Sequence, residues 1–272
     1  MASTLKETAS FGISPIVIVE PVNAGGSVLS FADIAAGKYD AALEKYFSEL
    51  KNQNVSETAL GIWTPLSEPN VNEWGAKNNN PQDFVAAFNR FAAIFKKNFA
   101  GGQLSVLLDN YSYDAKAGEF NAVPLVPYLT GLEKQYISSF VLQGFPWPEK
   151  GVQYSASDFL NRDIALSAAQ NLGVKSIWFN TGTFASGRDD YGNIITMSVS
   201  ERQTILNGIL DQANQLKSLG YQITVNLFAQ DKSQTQEGID WSYLKDSQSR
   251  QILCDFISRA RSLGIALSLY DE

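Results

Sequence analysis

A (β/α) barrel of the eight-stranded TIM class, shortened or rearranged at its amino end, is the α/β architecture this sequence predicts. Three observations carry the expectation. Short, continuous runs rich in Val, Ile and Leu recur along the chain; amphipathic stretches of helical period separate them; and no linker-like change of composition interrupts the 272 residues. Apolar runs without polar alternation are what strands covered by helices on their faces look like, and a βα unit repeated end to end implies a parallel sheet. The whole chain, 1–272, reads as a single domain.

The strand candidates, in order, are Ile16–Val19, Leu60–Trp63, Leu104–Leu108, Phe140–Leu142, Ser176–Phe179, Ile223–Phe228 and Ile265–Leu269. Helical period marks Tyr39–Lys51, Pro81–Lys97, Val123–Tyr136, Ser155–Leu172, Ser200–Leu219 and Ser247–Leu263. Start and stop signals support several of these: Asn80-Pro81 opens one helix, and Leu219-Gly220 and Leu263-Gly264 close two others. Strands begin about 35 to 47 residues apart, which leaves long connections after them; in a barrel such connections build the face at the carboxyl ends of the strands. The competing architecture is an open doubly wound sheet, but no Gly-x-Gly-x-x-Gly or P-loop follows an early strand. Seven strands are one short of a closed barrel, and the stretch before Ile16 is too short for a complete βα unit.

Composition removes whole classes of function. With 21 Lys+Arg against 28 Asp+Glu, the formal charge of -7 argues against a nucleic-acid or anionic-membrane partner. No apolar run is long enough to span a bilayer, and Met1 to Gly12 lacks the pattern of a signal peptide. The absence of histidine excludes Ser-His-Asp and Cys-His nucleophiles and imidazole metal sites; no EF-hand spacing is present, so neither a metal nor a cofactor is expected. Cys254, the one cysteine, falls within Ile252, Leu253, Phe256 and Ile257 and reads as a buried small hydrophobe. Carboxylates, amides, hydroxyls and rings remain for chemistry.

Such groups gather after the strands: Glu20-Pro21, Thr64 to Asn70, Asp109-Asn110-Tyr111, Gln143 to Trp147, Asn180 to Thr183, Gln230-Asp231-Lys232 and Tyr270-Asp271-Glu272. Amides and carboxylates exchange hydrogen bonds with sugar hydroxyls, and an aromatic face covers the apolar side of a sugar ring. Burying on the order of 100 Å² there contributes roughly 2.5 kcal/mol. Trp63, Trp74, Trp147, Trp178 and Trp241 all lie in or near strand-end segments, with core packing the alternative for each; Trp74 and Trp147, in loop-like contexts, are the better candidates. Glycosidic cleavage uses two carboxyl groups, one protonated and one ionised. Glu68, between a strand and a Pro-Asn turn and near Trp63 and Trp74, is the first candidate; turn capping or an ion pair is its alternative.

Ile34 to Asp40, followed by Trp63-Thr64-Pro65-Leu66-Ser67-Glu68-Pro69-Asn70, Trp74-Gly75 and the helix Pro81 to Arg90, resembles in words and order glycoside hydrolase family 26 and its relatives in clan A. These are β-mannanases and related endo-β-glycanases. The resemblance runs from about Ile16 to Trp147 and implies that Glu68 is the general acid/base, at the end of what would be the fourth barrel strand, with Asn70 near the substrate. Two departures stand out. Ser67 replaces the family's histidine, and Asn180-Thr181-Gly182 stands where the family has the nucleophilic Glu of Glu-x-Gly; an amide cannot form the glycosyl ester. The same register leaves the first two strands missing and one strand too many at the end, so the last strand is expected to substitute for a missing early one beside Ile16–Val19.

The expectation is therefore a β-1,4-glycan hydrolase of mannan or glucan type that works as a monomer on polysaccharide or oligosaccharide, outside the cell or at its surface. Glu68 and Asp231 are the catalytic candidates, with Asp109 and Asp271 as other positions for the second carboxylate. Asp231 adjoins Lys232, which marks it equally as a salt-bridged structural group. The substrate-facing set is Trp63, Asn70, Trp74, Asp109, Phe145, Trp147 and Asn180. A barrel that binds carbohydrate without cleaving it, as a module of a larger surface protein, is the alternative, favoured by Asn180; a purely structural domain is a third reading.

Overall fold

The computed structural model describes residues 1–272 except 12–14, 72–77, 79, 115–118, 123, 190, 236–237 and 271–272, with the backbone alone at 111–114, 119–122 and 269–270. A seven-stranded sheet contains β1 (Ile16–Val19), β2 (Ile62–Pro65), β3 (Gln103–Asp109), β4 (Ile137–Gln143), β5 (Ser176–Thr181), β6 (Gln222–Phe228) and β7 (Ala266–Tyr270). The strands lie side by side in chain order. Pairing is parallel from β1 through β3 and from β5 through β7, with Asn180 opposite Asn226 and Asn226 opposite Ser268. All seven expected strands are present. The expected substitution is not: β1 and β7 stand at opposite ends of the strand order, so the last strand does not take the place of an early one beside Ile16–Val19.

By its internal contacts the chain divides into two compact units. The first comprises Met1–Asp109, Val123–Phe140 and Gln170–Val174; the second comprises Asn110–Ala122, Val141–Ala169 and Lys175–Glu272. The core of the first is aromatic. Helix Pro81–Asn98 places Phe84, Phe88, Phe91 and Phe95 three or four residues apart, which aligns them on one face. Phe47, fully buried on helix Asp40–Asn52, meets Trp63, Phe91, Phe95 and Phe99 edge-on at 5.4 to 6.4 Å. Part of the family-like wording has a structural purpose here. Arg90 donates to both oxygens of Asp40 at 2.7 and 2.5 Å, and Gly37, at φ 80°, leaves room for its guanidinium, because a Cβ there would lie 2.2 Å from Arg90. That ion pair holds the Asp40 carboxyl below its ordinary range.

In the second unit, helices Val199–Ser218 and Ser247–Leu263 pack against one another, the first also against β6 and the second against β7. They contribute Ile205, Leu206, Ile209, Leu210, Ile252 and Phe256 to the core. A small antiparallel sheet of Asp231–Lys232, Ile239–Asp240, Ser186–Arg188 and Ile194–Thr196 completes this unit, as does the hairpin Tyr111–Asp114 with Glu119–Ala122. The sequence pattern misses these short strands, because two or three residues carry no readable period.

Several expectations are corrected. Leu60 does not start a strand: it ends the helical turn Glu57–Leu60, and Gly61, at φ 66°, turns the chain where any Cβ would strike the Pro15 carbonyl. The helix expected at 123–136 is reduced to the turns Val126–Leu129 and Lys134–Tyr136, separated by Gly131 at φ 91°. The stretch expected at 155–172 breaks into Ala156–Phe159 and Arg162–Leu172, and Ala2–Ser10 forms a helix the pattern did not show. Cys254 is exposed. Its helix buries Ile252, Leu253, Phe256 and Ala260, and position 254 points away from that stripe.

Candidate functional site at the strand ends

In the first unit, the turn after β2 carries Glu68. Leu66 and Glu68 both have left-handed backbone, at φ 55° and 56°, and Pro69 follows Glu68. An L-residue pays roughly 1–2 kcal/mol for that conformation, and the position before a proline prefers extended backbone. Strain of this kind is kept where surrounding contacts over-determine it. Those contacts are visible: the Leu66 N–H donates to Val19 at 2.7 Å, and the Leu66 side chain is buried. Glu68 itself is half-buried, between buried Ser67 and buried Pro69.

Asn70 closes the turn. Its amide nitrogen donates to the Asp109 carbonyl at 2.8 Å, and its carbonyl accepts from the Asp109 N–H at 3.0 Å. A buried side chain thus acts as one more rung on the end of β3, fixing the Glu68 turn beside Asp109. Both Asn70 and Asp109 are buried, at 6% and 8% exposure. Asn70 was expected to face the substrate; in the structure its amide is committed to backbone, and its effect is positional. Trp63 is corrected outright. It is 1% exposed, its indole N–H donates to the Leu60 carbonyl at 3.1 Å, and its ring is enclosed by Tyr46, Phe47 and Phe95, so it offers no face to a sugar. Trp74 lies outside the described residues, as does Asp271.

In the second unit, three amides form a row across β4, β5 and β6. Asn226 donates to Asn180 at 2.6 Å, and Asn180 donates to Gln143 at 2.6 Å. Each is 7% exposed. Parallel pairing places residues of equal register side by side, so the row follows from the opposition of Asn180 and Asn226. Two residues further on, side chains return to the same face. There Phe145 and Phe228 meet edge-on at 5.8 Å, with Gly182 in the register between them, 3.0 Å from the Phe228 carbonyl when a Cβ is added.

Trp147 continues the aromatic group. It lies 6.4 Å from Trp241, whose own ring is 1% exposed and meets Phe145 at 5.3 Å and Phe228 at 6.1 Å. The Tyr154 hydroxyl donates to the Trp147 carbonyl at 2.5 Å, and Pro148 rests on Gly187, where a Cβ would come within 2.4 Å of its ring. Phe145 and Trp147 are both half-buried. Of the predicted substrate-facing set, Phe145, Trp147 and Asn180 are therefore brought together in this unit. Gln143, one of the strand-end groups read from the sequence, joins them, as do Asn226 and Phe228, which the sequence reading does not single out. The signal for them was a polar or aromatic residue at every second position of an otherwise apolar strand, as in Thr224-Val225-Asn226-Leu227-Phe228.

Asp231 is also in the second unit and is engaged. The Lys245 ammonium lies 2.6 Å from its carboxylate and 2.9 Å from Asp240, and the Ser233 N–H donates to it at 3.0 Å. The hydrogen bond from Lys245, then those from Ser233, hold its carboxyl down at about 2. The salt-bridged alternative for Asp231 is thus what the structure shows, with Lys245 rather than Lys232 as the partner, and at neutral pH the group is an anion.

Behind the turn that follows Asn180, Arg202 is buried at 2% exposure. Its guanidinium donates to Thr183 at 3.3 Å, Ser249 at 2.9 Å and the Ser242 carbonyl at 3.0 Å, and lies 4.6 Å from the centre of the Tyr243 ring. Tyr243 reaches back to Thr183, and burial pushes its phenol upward. These contacts pin the chain just past the amide row. Among the described residues no cluster of His, Cys, Asp and Glu suits a metal ion, and no helix is long and apolar enough to cross a membrane.

No protein-family profile and no curated protein sequence matches the chain. Solved structures do. A fungal β-1,4-galactanase superposes with a TM-score of 0.60 at 14% identity, covering 94% of this chain and 81% of its own. The endo-1,4-β-mannanase of Rhizomucor miehei gives 0.60 at 12%, covering 96% and 75%. The family 1 β-glucosidase of Thermotoga maritima gives 0.59 at 11%, covering 97% and 77%. The fold is a shortened (β/α) barrel. At such low identity the likeness establishes architecture, and the sites described above rest on their own geometry.

Proposed function

We propose that the chain is a β-glycan-active protein of the barrel glycosidase type, acting on polysaccharide or oligosaccharide with Glu68 as the proton-donating residue. The observation that carries the reading is the row Gln143–Asn180–Asn226 at the carboxyl ends of neighbouring strands, with Phe145 and Phe228 two residues further along their segments. Neutral amides beside half-buried rings match hydroxyls and C–H faces of a sugar, and strand ends are where barrels hold their ligands. The resemblance to glycoside hydrolase family 26, and solved neighbours named as galactanase, mannanase and glucosidase, support the same class. Such polymers are met outside the cell, which is where the protein would act, as a monomer.

On this reading the strained Glu68 turn, clamped by Asn70, serves to hold one carboxyl in a fixed attitude. Asp231 is committed to Lys245, so Asp109, in the same unit as Glu68, is the candidate for the complementary carboxyl role. The test compares the wild type with Glu68→Gln on mannan, galactan, mixed-linkage glucan and cellulose, following new reducing ends. Loss of turnover in Glu68→Gln supports the assignment; unchanged turnover overturns it.

A second reading, binding without cleavage, is supported by Asn180: the resemblance implies a nucleophilic Glu at this position, and the amide that stands there is bound into the row. Retention on the insoluble polymers with no new reducing ends would decide for it.

A further inference from the structure

The strands β5 to β7 have two unlike faces. One carries Ile177, Phe179, Val225 and Leu227, all at 1% exposure or less. The other carries Ser176, Trp178 and Asn180 on β5, Gln222, Thr224 and Asn226 on β6, and Ala266 and Ser268 on β7. On this second face Trp178, Thr224 and Ser268 are only half-buried, and Gln222 and Ala266 are exposed. In a closed barrel the inward face is filled by layers of branched side chains. Here this face bears the indole of Trp178, the hydroxyls of Thr224 and Ser268 and the amide of Gln222, all reached by solvent, with the Asn180 and Asn226 amides buried at its end.

We propose that this face is a glycan-binding surface of its own, running along the strands from the amide row towards the amino ends, with Trp178 as the ring on which a sugar stacks. Three features select a neutral polyhydroxylated ligand. No side chain on the face is charged, so nothing recommends an ionic partner. Hydrogen-bonding groups flank the ring: Ser176, Thr224, Asn226 and Ser268 lie at neighbouring register positions. The indole N–H is occupied by the Ser176 hydroxyl at 3.2 Å, which ties Trp178 back along its own strand. Trp178 stands two residues from Asn180, about 6.6 Å along the strand. A sugar on Trp178 is therefore within one ring's length of the amide row, and a longer oligosaccharide can engage both. A second copy of the chain is a poor occupant, since Ala266 and Thr224 offer little apolar area around one ring.

The inference rests on the glycan reading above, and its test separates the two. β-1,4-Mannohexaose and cellohexaose are titrated calorimetrically against wild type, Trp178→Ala, Trp178→Phe and Asn180→Ala. We expect Trp178→Ala to weaken hexaose binding about tenfold, a stacked ring contributing of the order of 1.4 kcal/mol, and Trp178→Phe to recover part of it. In parallel, the wild-type protein is oxidised with N-bromosuccinimide with and without saturating hexaose, and peptides are mapped by mass spectrometry. Trp178 should react in the free protein and be protected by hexaose, while Trp63 and Trp241, both 1% exposed, resist in either state. The mapping needs no variant, so it decides the matter even where a substitution prevents folding. Hexaose binding with Trp178 unprotected overturns the second surface alone. Protection of Trp178 that grows with protein concentration instead of hexaose also overturns it, in favour of self-association. No binding of any glycan by wild type overturns the glycan reading itself.

Discussion

Asn70→Ala tests how the Glu68 turn is held. The Asn70 amide makes two hydrogen bonds to Asp109 backbone, at 2.8 and 3.0 Å, and both residues are buried. Removing the amide leaves a buried N–H and a buried carbonyl without that partner, each costing about 1–3 kcal/mol, so a loss of about 3 kcal/mol is expected once some water re-enters. For a chain of this size that corresponds to a fall of about 6–12 °C in Tm. Asn70→Asp keeps the acceptor for the Asp109 N–H but sets a carboxylate against the Asp109 carbonyl, and should recover no more than half. Urea unfolding with m-values checks the energies, and reducing-end assays check the consequence, which should fall on kcat more than KM because Glu68 is displaced while sugar contacts elsewhere persist. A loss below about 1 kcal/mol for Asn70→Ala, with unchanged m, would refute the clamp.

Three further expectations follow from particular groups. Glu68→Gly should be more stable than Glu68→Ala by about 1 kcal/mol, because glycine accepts φ 56° freely and alanine does not; equal urea midpoints would show the turn to be unstrained. Lys245→Met should return the Asp231 carboxyl from about 2 towards 3.8. A carboxyl depressed in the folded state adds stability above its ordinary pKa and loses it as pH falls through the folded value, so the stability gap between wild type and Lys245→Met should narrow from pH 5 to pH 2, read by thermal unfolding; a gap independent of pH would contradict the pairing. Arg202→Met should cost about 3 kcal/mol, since Thr183, Ser249 and the Ser242 carbonyl lose their donor while relief from burying a charge offsets only part. Arg202→Lys, with one compact ammonium in place of a fork, should restore little of it by denaturant titration.

The catalytic candidates fare differently because their readings depend on different scales of information. Glu68 could be singled out from its neighbours in sequence, since a Glu-Pro-Asn turn after an apolar run is a local pattern. Its left-handed backbone and the Asn70 clamp could not, because the clamp joins positions 39 residues apart. Asp231 was legible as an ion-paired carboxylate, yet its partner was not: Lys232 is adjacent, but its side chain lies 4.8 Å from the Phe228 ring, and Lys245 takes the carboxylate. Trp63 shows the reverse failure. Its segment looked like a strand end, and only the packing of Phe47 and Phe95 around it reveals a core residue.

By itself the sequence determined the βα repeat, the seven strands of the parallel sheet and, having no histidine, a chemistry limited to carboxylates, amides, hydroxyls and rings, because periodicity and composition are properties of single segments and sums. The tertiary structure decided the strand order, which leaves β1 and β7 at opposite ends, and the alignment of Gln143, Asn180 and Asn226 into one row. Register between parallel strands is set by the helices and turns that connect them, so which side chains become neighbours is fixed only when those connections pack.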